Sequence, residues 1–137
     1  MPHRQITVFF YGLFMDPETL LAKGLHPSDP RPACLPGFRL HIGQRATLVP
    51  DPDTDVYGFT MQLTQEEITL LYADPSVSAY RPEAVLVQFT DHSTAPALCF
   101  NLVTPPAPTE TNAQYASQLR DLANRLGLPA QYVARIH

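Results

Sequence analysis

The sequence is short of charge. Charged residues make up 16% of its 137 positions, with a single lysine, Lys23, and nine Lys and Arg against thirteen Asp and Glu leave a net charge of −4. A nucleic-acid binder normally presents a basic face to neutralise phosphates, and a membrane-surface protein needs clustered cations, so the composition argues against both. Long apolar runs are missing too. Stretches such as Ile6 to Phe10 fall far below the roughly 18 residues of a membrane helix. The opening MPHRQITVFF has no apolar signal region and no small-residue cleavage site, so a cytoplasmic protein is expected. The two cysteines, Cys34 and Cys99, have no CxxC spacing and sit in strand-like apolar runs. There a thiol behaves as a small hydrophobe, and both are expected to be reduced. Five histidines (His3, His26, His41, His92, His137) are scattered without HxH or HExxH spacing, so neither a metal nor a cofactor is expected. No GxSxG elbow occurs, which removes the serine-hydrolase pattern.

What is present suits a packed core. Apolar residues form 45% of the chain, and the length matches one domain over residues 1–137. Fifteen prolines fall mostly at segment edges. Gln5 to Phe10 is a β-rich run without helical period and reads as a buried strand. Asp16, Pro17 and Glu18 then suit an N-cap, a first helical position and the positive end of a helix dipole. Strand-like segments follow at Ala33 to Gly43, broken by Pro36-Gly37 as at a bulge, and at Arg45 to Val49, Val56 to Leu63, Tyr80 to Phe89 and Ala97 to Val103. Pro27 to Pro32 reads as a loop, and Pro50 to Asp53 as a turn. Thr64 and Glu67 make a capping box ahead of Ile68 and Leu71. Tyr115, Leu119, Leu122, Ala123 and Leu126 define an amphipathic helix between Asn112 and Gly127, and Pro129 restarts a helical turn that is expected to run to the end. The pattern predicts an α+β fold: a small mixed, curled sheet or barrel of about six strands with a few short helices.

Phe10-Tyr11-Gly12-Leu13-Phe14 is the most suggestive local feature. A glycine after a strand lets backbone N–H groups turn toward a ligand, and the following helix start favours negative charge. Such a nest holds a carboxylate or a developing oxyanion; equally, Gly12 makes a tight turn. Other polar residues have structural readings: His41 as a hydrogen-bonder in a strand, Glu66 and Glu67 at a helix start, and Arg81 with Glu83 as a solvated surface pair. Tyr57, Tyr72 and Tyr80 read as rim or core tyrosines with one wet end.

Tyr11-Gly12-Leu13-Phe14 after a hydrophobic strand resembles the YGxx loop of the gamma-glutamylcyclotransferase-like family. Pro36-Gly37-Phe38-Arg39-Leu40, Val56-Tyr57-Gly58-Phe59, Leu71 to Arg81, Ala113-Gln114-Tyr115 and Gly127 to Tyr132 resemble further family segments in the same order. The likeness spans nearly the whole chain. It implies the family's fold and its chemistry, an intramolecular acyl transfer on a small γ-glutamyl compound. The α-amine attacks its own γ-carbonyl, closes 5-oxoproline and expels an amine. Because both reactants belong to one molecule, the enzyme holds the chain folded, removes a proton from the ammonium and stabilises the oxyanion. The resemblance implies Tyr11, Gly12, Leu13, Phe14, Tyr80 and Tyr115 as substrate-binding residues. Arg45 and Arg81 are candidate partners for a substrate carboxylate, or else plain surface cations.

The sequence departs from the family pattern at the general base. With Tyr80-Arg81 on the family's Tyr-Arg and Leu71 on its leucine, Pro75 stands where the glutamate belongs. Asp74 is the neighbouring acid and the candidate catalytic residue, or else a turn residue before proline. Glu83 is a more distant substitute. Two functions remain open: a cyclotransferase using Asp74, or a ligand-binding member that has lost its base.

Overall fold

The structure, a computed structural model, describes residues 4–137. His3 and the first residues of the stretch read for a signal sequence lie outside the described residues. The chain runs β1 (Gln5–Phe10), a 3-10 turn (Leu13–Met15), α1 (Pro17–Ala22), β2 (Ser28–Ile42), β3 (Ala46–Thr64), α2 (Gln65–Tyr72), β4 (Tyr80–Phe89), β5 (Thr94–Leu102), α3 (Ala113–Arg125) and α4 (Ala130–Val133).

The α+β class holds, and the sheet closes into a barrel in the order β1-β3-β2-β4-β5. It is mixed: β1 pairs antiparallel with β3 and parallel with β5, through Val8 opposite Leu98 and Phe9 opposite Cys99. Val8, Phe9 and Phe10 are all buried, because a strand with neighbours on both edges and cover on both faces has no side for water. Gly58 of β3 is required by close approach. A Cβ there would stand 2.1 Å from the Phe10 carbonyl oxygen.

Among the described residues there are five strands where the sequence pattern predicts about six, since Arg45 to Val49 and Val56 to Leu63 belong to one continuous β3. Turn chemistry does operate between them, but as a bulge. The register jumps from Pro50 opposite Phe38 to Asp55 opposite Pro36, leaving residues 51–54 facing Gly37, which has φ +83°. The Asp51 carboxylate accepts from the Asp53 N–H (3.1 Å), and the Thr54 hydroxyl donates to the Phe38 carbonyl (2.7 Å). Extra residues on one strand bend it and increase its twist, which helps a short sheet to close. Most of Pro27 to Pro32 is likewise the irregular start of β2, not a free loop; Arg31 and Pro32 pair with Thr60 and Phe59.

The helices follow their local signals. Asp16 caps α1 with Pro17 at its first turn. Thr64 and Glu67 form both hydrogen bonds of the capping box on α2, and Asn112 caps α3. α3 buries Ala116, Leu119, Leu122 and Ala123, a stripe in which a Leu119-sized side chain contributes about 1.5–3 kcal/mol. The last helical turn ends at Val133 instead of running to the terminus. Both thiols are free; Cys99 is buried, whereas Cys34 is only half-buried. Among the described residues, no helix is long and apolar enough to cross a membrane.

Candidate functional site

The end of β1 leads straight into the site. After Tyr11 the backbone tightens into the 3-10 turn, with the Met15 N–H donating to the Gly12 carbonyl (3.0 Å). Asp16 anchors the far side of this turn. Its buried carboxylate accepts from the Glu18 N–H (3.1 Å), the Thr19 hydroxyl (3.4 Å) and the Arg125 guanidinium (3.1 Å). The loop is therefore held between β1 and α3. One expectation is corrected here. The α1 N-terminus does not face a ligand, because the Asp16 carboxylate already occupies it and the helix is only six residues long.

A cavity of about 400 Å³ opens beside the loop. Tyr11, Gly12, Leu13 and Phe14 form one wall, and Tyr80 and Tyr115, from β4 and α3, also line it. Residues 69 and 104 positions from Tyr11 thus meet around one hollow. The Leu13 N–H donates to the Tyr115 hydroxyl oxygen (3.4 Å), tying the loop to α3. For Gly12 and Phe14, no N–H hydrogen bond to another group is found among the described residues. The Tyr11 hydroxyl donates to the Phe100 carbonyl (2.7 Å), and the Tyr80 hydroxyl donates to the Ala46 carbonyl. Burial pushes the Tyr11, Tyr72 and Tyr115 phenols up, and Tyr80 to about 12, so these side chains stay neutral at physiological pH.

Arg45 is the single charged residue among those lining the cavity. It sits on the β2–β3 turn, which is clamped from outside: the Gln44 N–H donates to the Glu110 carboxylate, and Asn112 Nδ2 donates to the Gln44 carbonyl (3.5 Å). The remaining wall is aromatic. Tyr72 stacks on Phe100 with ring centres 4.0 Å apart and 13° between planes. Phe14 meets both Phe10 and Tyr72 edge-on.

Asp74 is outside this lining. It is exposed on the turn after α2, and its Oδ1 accepts from the Ser76 N–H (2.9 Å) and hydroxyl (2.8 Å). Those two hydrogen bonds hold its carboxyl below the usual aspartate value. Its neighbours Ser76 and Val77 line the cavity, so the turn lies at the rim while the carboxylate caps the turn. Glu83 is exposed on β4, where its Oε1 accepts from Asn101 Nδ2 (2.9 Å). It does not pair with Arg81, contrary to the surface-pair reading. Arg81 instead donates to the Ser78 and Tyr80 carbonyls (2.8 and 2.9 Å) and stays out of the cavity. His41 Nε2 lies 3.2 Å from the Ala107 carbonyl oxygen, a structural contact.

Sequence reasoning passed over Tyr72 and Phe100 as site residues. Tyr72 ends a capped helix and Phe100 lies in an apolar strand, and nothing local separates a cavity aromatic from a core one. No group of three or more His, Cys, Asp or Glu able to hold a metal ion is found among the described residues.

The fold is shared with solved structures of low identity. The uncharacterized protein loc79017 from Homo sapiens superposes with a TM-score of 0.75 at 20% identity, covering 96% of this chain and 86% of that one. A gamma-glutamyl cyclotransferase gives 0.75 at 19%, covering 97% and 86%. YkqA from Bacillus subtilis gives 0.78 at 21%, covering 96% of this chain and 52% of its own. Among curated proteins, no significant match is found. Residues 8–119, which carry the second half of β1, the glycine loop, the other four strands of the barrel and the first half of α3, match the model of one protein family. The chain belongs to the gamma-glutamyl cyclotransferase, AIG2-like family.

Proposed function

We propose that this chain is a binding member of its family: a single domain, cytoplasmic, that holds a small carboxylate compound, γ-glutamyl compounds included, without cyclising it. The observation that carries this reading is the absence of a carboxylate among the described residues lining the cavity. Cyclisation needs a group within hydrogen-bond reach of the substrate ammonium that accepts its proton. The α-ammonium of a γ-glutamyl compound, beside its own carboxylate, has a pKa of about 9, above that of a chain terminus. The phenols in the wall are neutral and hard to ionise, and Arg45 is already protonated. Asp74 is engaged by Ser76, and a carboxyl whose pKa is lowered is a poorer proton acceptor than an ordinary one. What the cavity retains is the binding half of the chemistry: Tyr11 to Phe14 with Tyr80 and Tyr115 around the ligand, and Arg45 at the mouth.

A second reading is the cyclotransferase with Asp74 as base. It is favoured by one observation, that Ser76 and Val77 of the same turn line the cavity, so a shift of this short segment would carry Asp74 inward. One experiment separates the two. Purified protein is incubated with γ-glutamyl amino acids, γ-glutamyl amines and glutathione, 5-oxoproline is measured, and the melting temperature is followed with each compound. Binding without turnover, unchanged in Asp74→Asn, is the expected result. Release of 5-oxoproline that Asp74→Asn abolishes would establish the enzyme.

A further inference from the structure

Eight of the fifteen residues lining the cavity are aromatic. Five of them are joined by ring contacts: Phe10 to Phe14 and Phe14 to Tyr72 edge-on, then Tyr72 to Phe100 stacked and to Tyr80 tilted, making one connected apolar wall. The polar groups at this wall are unevenly matched. The protons of Tyr11, Tyr80 and Ser76 are already given to Phe100, Ala46 and Asp74. The Tyr115 hydroxyl accepts from the Leu13 N–H and keeps its own proton for a ligand. The Gln44 side-chain amide, which also lines the cavity, can donate and accept; with the Gly12 and Phe14 amides and the Arg45 guanidinium, donors outnumber acceptors in the free capacity. In a chain with more acids than bases, the one charge at the cavity is a cation.

A ligand brought into such a space loses water around each of its charges. A carboxylate regains it from Arg45 and neutral donors through charge-assisted hydrogen bonds. An ammonium finds no carboxylate to replace its water. The apolar wall rewards a flat hydrophobic body through area and ring contacts, and a hollow of about 400 Å³ has room for a small ring and its side chain.

Resting on the binding reading above, the geometry points to an aryl-substituted monocarboxylate without a free amine as the preferred ligand, its ring against the Tyr72–Phe100 wall and its carboxylate on Arg45. This is narrower than a zwitterionic γ-glutamyl compound. Position 45 then sets specificity for the acid function.

The test is a matched series measured by calorimetric titration on the full chain: 3-phenylpropionate, 3-phenylpropionamide, 3-phenylpropylamine, phenylalanine and a γ-glutamyl anilide. The acid is expected to bind at least about tenfold more tightly than the amide, as befits one hydrogen-bonded ion pair, and more tightly than the amine or either zwitterion. Arg45→Met is expected to bring the acid down to the level of the amide, with the melting temperature of the free variant confirming that it folds. Arg135→Met, altering a second hollow lined also by Arg39, Asp55 and Glu110, is expected to change nothing. Equal or tighter binding of phenylalanine or the γ-glutamyl anilide overturns the proposal and leaves the binding reading standing. So does preference for the amine, which would mean that the ring faces hold a cation. Loss of acid binding in Arg135→Met rather than Arg45→Met overturns the placement. Conversion of the γ-glutamyl anilide to 5-oxoproline overturns the binding reading itself.

Discussion

The Tyr115 hydroxyl oxygen lies 2.6 Å from the point where a Cβ on Gly12 would stand. No backbone strain is involved, since Gly12 has φ −110°. What the missing side chain provides is room for a phenol from α3 to reach the Leu13 N–H and close the loop over the cavity.

Gly12→Ala therefore displaces Tyr115 and is expected to cost about 1–3 kcal/mol, the range for overpacking a filled site. Tyr115→Phe removes the obstructing atom along with a long hydrogen bond, at about 0.5–1.5 kcal/mol. When Gly12→Ala is combined with Tyr115→Phe, the alanine should cost less, with a coupling of at least about 0.5 kcal/mol. Urea denaturation of the parent, the two single variants and the double variant measures this. Additive losses would show that the two residues do not oppose one another.

Acid stability should depend on Glu67. Burial works to raise its carboxyl, but the Thr64 and His26 N–H groups and the Thr64 hydroxyl outweigh it and hold the group below its ordinary 4.5. The hydrogen bonds are 2.9 Å from Thr64 N and 2.6 Å from His26 N. A depressed folded value means stability that is present above pH 4.5 and lost as pH falls through that lower value. Glu67→Gln keeps the shape with weaker acceptors. It is expected to cost about 1 kcal/mol at neutral pH and to close on the parent as the pH drops below 4.5. A constant gap between the two proteins across that window would remove the linkage.

All six tyrosines should resist ionisation. Burial is the leading cause in each case, pushing Tyr11, Tyr57, Tyr72, Tyr115 and Tyr132 up and Tyr80 to about 12. The folded chain then holds protons that the unfolded chain releases near pH 10, so stability is intact below pH 10 and declines above it. Tyrosinate absorbance of the five more buried tyrosines is expected to rise together with loss of circular dichroism, in one step above pH 10, while the less buried Tyr57 ionises ahead of that step. Gradual ionisation centred on pH 10 in a chain that keeps its fold would contradict this.

Taken by itself, the sequence determined what neighbours along the chain can decide. The Asp16, Thr64–Glu67 and Asn112 caps are hydrogen bonds spanning two or three residues. The run of β1 and the stripe of α3 are periodicities, and the bend at Pro36-Gly37 is local backbone chemistry; each is the same in any surroundings. The ordered motifs carried the family for the same reason. Only the tertiary structure decided that Pro50 to Asp53 bulges inside a strand, because the bulge exists relative to Gly37 on the partner strand. It alone joined Leu13 to Tyr115 across 102 residues and set Tyr72 on Phe100. The Asp74 bonds to Ser76 span two residues and belong with the local features; what the tertiary structure decided is that this turn sits at the rim of the hollow, with Ser76 and Val77 in its lining and the Asp74 carboxylate outside it.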